Sequence, residues 1–454
     1  MSNFKGIFTL VLFIAVLSLP ACAGKYYRIG EKYYQERNYD KAIFYLTRAI
    51  EADPSFGKAY IERAYIYVEK KEHDKAVRDY TRALETGCLD QKCRAGTYFN
   101  RGVSYHLLGQ LDEAMADYTT AIDMESVNKP EALINRGVIF KERGLHEKAF
   151  SDLNMAIQIK PTDLEAYINR GDTYDLLGRL DEALADYDRS LELNINYDLG
   201  HRRRARILYK KEKYEEGLVE AKRAIEIDPS KFDSHLISGN LLMAMGRIDE
   251  GEEAFNRALE LNPRSLEAAH ARAALFMQTG RFEEGIAAYS RIIEVDPGHF
   301  MAFANRGAAY SVLGRYDEAI KDLTEALKLN PEEANTIYNR GTAFSNASRF
   351  DEALEDFNRA LEMEPERIDF LNERGYMLLV LGRHREALAD FEKSIRIDPS
   401  HGEAYFFRAQ VLEETGEVRL ALEAYEEFLM LEGPGLEYYR EKALERIELK
   451  EDKK

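Results

Sequence analysis

Tryptophan is absent from this chain, and cysteine is nearly so, with three in 454 residues. A chain this poor in cysteine is not held together by a disulfide framework. Zinc would need two soft ligands beside Cys88 and Cys93, and "GCLDQKCR" has none nearby. Positive charge is in deficit: 63 Lys and Arg stand against 81 Asp and Glu, a net charge of −18. That balance argues against nucleic acid and anionic headgroups as general partners. Glycine-rich phosphate loops, paired histidines at metal spacing and a nucleophile elbow are all missing, so no enzyme activity and no cofactor are expected. His201 and His235, in matching places of adjacent repeats, are the nearest approach to a metal pair. What remains is a chain that is 45% hydrophobic, too apolar to be disordered and too long for one ordinary domain.

One long apolar run does occur, at the start. "MSNFKGIFTLVLFIAVLSLPACAG" has a lysine, then Ile7 to Leu19, then small residues. This predicts a secretory signal over 1–23, with a run too short to span a membrane. Two exits fit. Ala21-Cys22-Ala23 suits cleavage after Ala23; Leu19-Pro20-Ala21-Cys22 resembles a bacterial lipobox with Cys22 lipidated, although Pro20 departs from it. The expectation is an exported protein, periplasmic or anchored to the outer membrane as a lipoprotein. In an exported chain Cys88 and Cys93 can close a small disulfide loop; a pair of free thiols is the alternative.

The rest repeats itself. A small residue recurs as Ala42, Ala76, Ala114, Ala149, Ala183, Gly217, Gly251, Gly285, Ala319, Ala353, Ala387 and Ala421, with a period of 34 broken chiefly near the cysteines. Each repeat reads as two amphipathic helices; in the fifth, Tyr167, Gly171 and Tyr174 recur at helical spacing on the first and Ala183, Tyr187 and Leu191 on the second. Gly178 fits a left-handed helix stop between them, and Pro161 or Pro229 cannot continue the second helix. So short a pair cannot bury its apolar face alone, so neighbours must stack.

These residues resemble the tetratricopeptide repeat family over about nine tenths of the chain. Tyr26, Ile29, Gly30, Tyr33, Ala42, Leu46, Ala49 and Pro54 fill its signature positions in the first repeat. Phe303, Gly307, Tyr310, Ala319, Leu323, Ala326 and Pro331 fill them in the ninth. The resemblance implies an all-α, right-handed α-solenoid superhelix. About twelve helix-turn-helix repeats would span 24–435, with a capping helix and charged tail over 436–454. It also implies a concave groove that binds a protein or peptide segment.

Five repeats carry Asn-Arg-Gly. The arginine is matched by an acid sixteen residues on: Arg63 by Asp79, Arg101 by Asp117, Arg136 by Asp152, Arg170 by Asp186, Arg204 by Glu220, Arg306 by Asp322, Arg340 by Asp356 and Arg374 by Asp390. Where the arginine is missing so is the acid, as at Ser238 and Ala254. An ion pair joining the two helices of each repeat is predicted, because a half-buried guanidinium needs a carboxylate. Arg272 and Arg408 break the rule, facing Ala288 and Ala424. The capping helix offers Arg408 an acid in Glu437 or Glu441; nothing is offered to Arg272.

Groove candidates are of two kinds. Asn100, Asn135, Asn169, Asn305 and Asn339 share one repeat position. There they resemble the repeat arm of protein O-glycosyltransferases, where asparagines hold the backbone of an extended peptide. Asparagine is also common at this position for no such reason. The second kind is local: "HRRRARILYKKEKY" sets Arg202, Arg206, Tyr209 and Lys210 toward the groove, basic in an acidic chain. They would grip an acidic segment, or pair with acids such as Asp172 and Asp175 of the adjacent repeat. Gly217, Gly251 and Gly285 replace alanine in repeats six to eight and predict a more deformable stretch. The expected function is a non-enzymatic scaffold of the bacterial cell envelope. The alternative is a structural component of a polysaccharide or protein secretion machine, acting through its convex face.

Overall fold

The computed structural model describes residues 22–87, 89–431 and 436–451, of which the side chains of 449–451 are not described. Those residues form helices alone, α1 to α25 in chain order, with no strand among them. No helix among the described residues is long and apolar enough to cross a membrane. Of the expected signal, 1–21 lie outside the described residues, while Cys22 and the buried Ala23 open α1 (22–35). The helices pair as the period requires, for example α9 (Leu164–Leu176) with α10 (Leu180–Leu193). The chain divides into two compact bodies after Pro229, and each is a stack of such pairs.

Turn chemistry sets the pairing. Gly178 has φ +70° and ends α9 in the left-handed region, where a side chain is strained. The same slot is left-handed in all twelve repeats. Eight are glycine, and Arg37, Lys71, Glu212 and Ser348 occupy it at φ between 57° and 59°. Acids then crowd the next helix start, as Asp181 and Glu182 do on α10, opposite the helix dipole's positive end.

The core lies between paired helices. Tyr80, Tyr118, Tyr187, Phe255, Phe357 and Phe391, one per second helix, are fully buried. Each ring sits where the first helix has a glycine or an alanine. A Cβ on Gly171 would stand 2.6 Å from the Tyr187 ring, and one on Gly239 would stand 2.5 Å from that of Phe255. The glycine of Asn-Arg-Gly is thus a seat for a side chain of the second helix. Gly251 and Gly285 are seats of another kind, their missing methyls replaced by the Met243 and Met277 side chains at 3.2 and 3.0 Å.

Candidate functional site

All eight predicted arginine–acid pairs form. Seven are two-pronged: in Arg101 and Asp117, Nε donates to one carboxylate oxygen at 2.7 Å and Nη2 to the other at 2.8 Å. Arg63, Arg136, Arg170, Arg306, Arg340 and Arg374 repeat this geometry with their acids. Arg204 instead divides itself between Glu220 at 2.6 Å and Asp188 at 2.7 Å. A third bond runs from Nη1 to the preceding repeat, reaching Thr47, Thr81, Thr119, Asn154, Ser290, Thr324 or Asn358. Each arginine therefore bolts its first helix to two second helices. That acceptor was readable too: it lies sixteen residues before most of these arginines, and where Ser238 replaces the arginine the slot is Lys222. Arg408 finds its acid in Glu427, on its own second helix, and not in Glu437 or Glu441 on the cap.

The asparagines are half-buried and partly spent within the fold. Asn100 donates to the Tyr65 hydroxyl at 2.7 Å. Asn135 faces the Tyr118 hydroxyl, and Asn305 the hydroxyl of Tyr289 and the ring of His270. Asn169 donates to the Glu165 carbonyl at 2.9 Å and accepts from Lys141 at 3.3 Å. Asn339 has no such tie among the described residues. In four of the five the amide links one repeat to the one before.

The basic cluster gathers around two aspartates of α9. Arg206 donates to Asp175 at 3.0 Å and Lys210 to the same carboxylate at 2.6 Å, both from α11 (Asp198–Lys210). Arg203 lies 2.9 Å from Asp172, and Lys141, from α7 (Lys129–Glu142), lies 3.9 Å from it. These six side chains and Leu176 line a cavity of about 320 Å³. Arg202 is bonded to Asp198 on its own helix at 3.0 Å, and Tyr209 packs toward Tyr214 with ring centres 5.9 Å apart. Sequence reasoning overlooked Arg203 and Lys141. Arg203 could have been found, since it occupies the ladder asparagine's position in the sixth repeat. Four cations thus surround two carboxylates. Burial lowers the Lys141 pKa; Asp172 opposes this, and Arg203 and Arg206 push it down further.

His201 is tied within the fold, its Nδ1 2.6 Å from Glu220 of its own repeat and its Nε2 2.8 Å from the Ile195 carbonyl of the repeat before. Among the described residues no group of His, Cys, Asp and Glu is placed to hold a metal ion. Cys93 is half-buried near the start of α5 (Gln91–Leu107); Cys88, and with it the expected disulfide, lies outside the described residues.

Three family models, all described as tetratricopeptide repeat, match this chain. One covers 24–56, 164–197 and 300–333. A second covers 238–300, 338–402 and 378–435, and a third 57–86 and 95–128. The fourth repeat and the basic sixth repeat, which together build the cavity's cationic side, fall outside these matches. No curated protein matches the chain. Among solved structures, YrrB, titled a TPR protein with an unusual peptide-binding site, is 25% identical over 41% of this chain and 95% of its own, with a TM-score of 0.34. A tetratricopeptide repeat protein from Parabacteroides merdae is 18% identical over 55% of this chain and 98% of its own, with a TM-score of 0.45. The APC/C hetero-tetramer Cut9–Hcn1 is 15% identical over 96% of this chain and 98% of its own, with a TM-score of 0.44. The family models match well over half of the residues, and the chain belongs to the tetratricopeptide repeat family.

Proposed function

We propose that this protein is a non-enzymatic scaffold that holds an acidic segment of a partner protein against α7, α9 and α11. Proteins of this family bind protein or peptide partners. The observation that carries the reading is the charge imbalance of the cavity lining, where Lys141, Arg203, Arg206 and Lys210 stand against two acids, Asp172 and Asp175. A like-charge surplus of this kind in a chain of −18 favours a carboxylate-rich occupant and speeds its approach. Arg206 and Lys210 remain partly exposed and can turn outward to a ligand. The bonds already spent on Tyr65, Tyr118 and Tyr289 leave the asparagine ladder a lesser role, as backbone donors beside that contact.

The reading extends to location: the apolar start and the Leu19-Pro20-Ala21-Cys22 run support export to the envelope, soluble or lipid-anchored. Intact mass of the mature protein distinguishes a start at Gly24 from an acylated Cys22, and an uncleaved Met1 start would overturn it. Binding is tested by fluorescence anisotropy with a labelled Glu-Ser repeat peptide and its Gln-Ser counterpart. Wild type is expected to bind the acidic peptide only. Arg206→Gln with Lys210→Gln and Asp175→Asn, which removes the two exposed cations without stranding a buried acid, should weaken it at least about tenfold. Equal affinity in the triple variant, or no binding by wild type, contradicts the proposal.

A further inference from the structure

The arginine without an acid sits in the cavity between the seventh and eighth repeats. Arg272, on α15 (Leu266–Gln278), keeps the backward bond of its sister arginines, donating to Asn256 on α14 (Ile248–Leu261) at 2.9 Å. Where they meet a carboxylate, it meets the methyl of Ala288 on α16 (Phe282–Val295). Its Nε is buried with no partner, and its Nη2 has no acceptor among the described residues. An unpaired buried guanidinium edge is costly, and the seven two-pronged sister arginines avoid it by closing Nε onto an aspartate.

A second cation stands beside it. Arg291 lies three residues after Ala288 and lines the same cavity, of about 460 Å³. At this position five other repeats satisfy the basic residue with the glutamate three residues on, as in Arg48–Glu51, Arg189–Glu192 and Arg257–Glu260, and Arg359 and Lys393 donate to the carbonyls of Pro331 and Pro365. Arg291 has Glu294 at that spacing but makes no ion pair or hydrogen bond among the described residues. The acid on the cavity rim, Glu260, is engaged by Arg257 at 2.7 Å. Burial and then the nearness of Arg291 lower the Arg272 pKa, with Glu252 opposing. The remaining wall has Leu259, Leu266, Ile292 and Val295, with Arg264 as a third cation.

We propose that this cavity takes a single carboxylate, the side chain of an Asp or Glu flanked by aliphatic residues on a partner protein, held between Arg272 and Arg291. The planar fork of Arg272 is the one its sister arginines use to hold a planar carboxylate, which favours that group over tetrahedral phosphate. The aliphatic wall favours a protein segment over a free acid. The site is on a different body from the α7–α11 cavity and stands whether or not that reading does.

The test is a titration of the full chain, labelled with ¹⁵N-arginine, with acetyl-Leu-Asp-Leu amide, acetyl-Leu-Asn-Leu amide and inorganic phosphate. The Arg272 side-chain resonance is assigned by its loss in Arg272→Lys. A saturable shift with the Asp peptide alone is expected. Arg291→Gln, which removes a side chain with no bond among the described residues, should weaken it about tenfold with melting unchanged. Ala288→Asp supplies the missing acid from within; it should raise the melting temperature and abolish the shift. No response in wild type, an equal response to the Asn peptide or to phosphate, or a folded Ala288→Asp protein that still responds, each overturns the proposal.

Discussion

Seven of the repeated arginines each spend one guanidinium on two neighbours, an aspartate in their own repeat and a hydroxyl or amide in the one before. Because the aspartates are buried and the arginines mostly so, removing one partner strands the other. Asp186→Ala should cost about 3 kcal/mol, and Arg170→Ala added to it should cost little more; chemical denaturation of the single and double variants measures this. The pair was legible because arginine and acid vanish together along the chain. The acceptor for Asn100 was not, because the Tyr65 hydroxyl comes from a different repeat position than those that Asn135 and Asn305 face. His201 supplies a pH dependence. Burial lowers its pKa, but the bonds to Glu220 and the Ile195 carbonyl outweigh this and the Arg223 charge, and raise it. Both ring nitrogens face acceptors, which only the imidazolium satisfies by donation. Its stabilisation is complete below the unfolded value of about 6.5 and is lost as pH rises through the higher folded value. His201→Gln should flatten that part of the stability profile; an unchanged slope above neutrality contradicts the assignment.

Helix pairs depend on the left-handed turn. Four repeats fill it with a side chain, and Ser348→Gly should relieve this, stabilising the protein by about 0.5–1 kcal/mol after the glycine's own entropy is counted. A thermal melt showing no gain would mean that the serine is unstrained there. Glycine within the second helices acts differently. In α14 and α16 it makes room for methionine, while the helix loses the propensity of alanine, about 1 kcal/mol each. Amide exchange should be faster in α14 and α16 than in α18 (Tyr316–Leu329), which has Ala319 in that place; equal protection would contradict this. Turn glycines and helix boundaries were readable because each repeat restates them. The acid for Arg408 was not: Glu427 lies nineteen residues on, outside the sixteen-residue rule that the other repeats follow.

At the scale of the chain, period fixes the architecture and departures from it mark where function is sought. The repeated Arg-acid pair is scaffold, whereas the sixth repeat breaks composition and the eighth breaks the pairing rule. Both departures were visible in the sequence as charge out of place. What the sequence hid was which side chains share a cavity. Lys141 and Arg203 come from repeats four and six, and only stacking brings them onto the aspartates of repeat five. The division between scaffold and site is tested most directly by measuring melting temperature and acidic-peptide affinity together, in Arg340→Gln and in the Arg206→Gln, Lys210→Gln, Asp175→Asn variant. The account predicts that Arg340→Gln lowers the melting temperature and leaves affinity unchanged, while the triple variant loses affinity about tenfold. A loss of affinity in Arg340→Gln as large as that in the triple variant would contradict it.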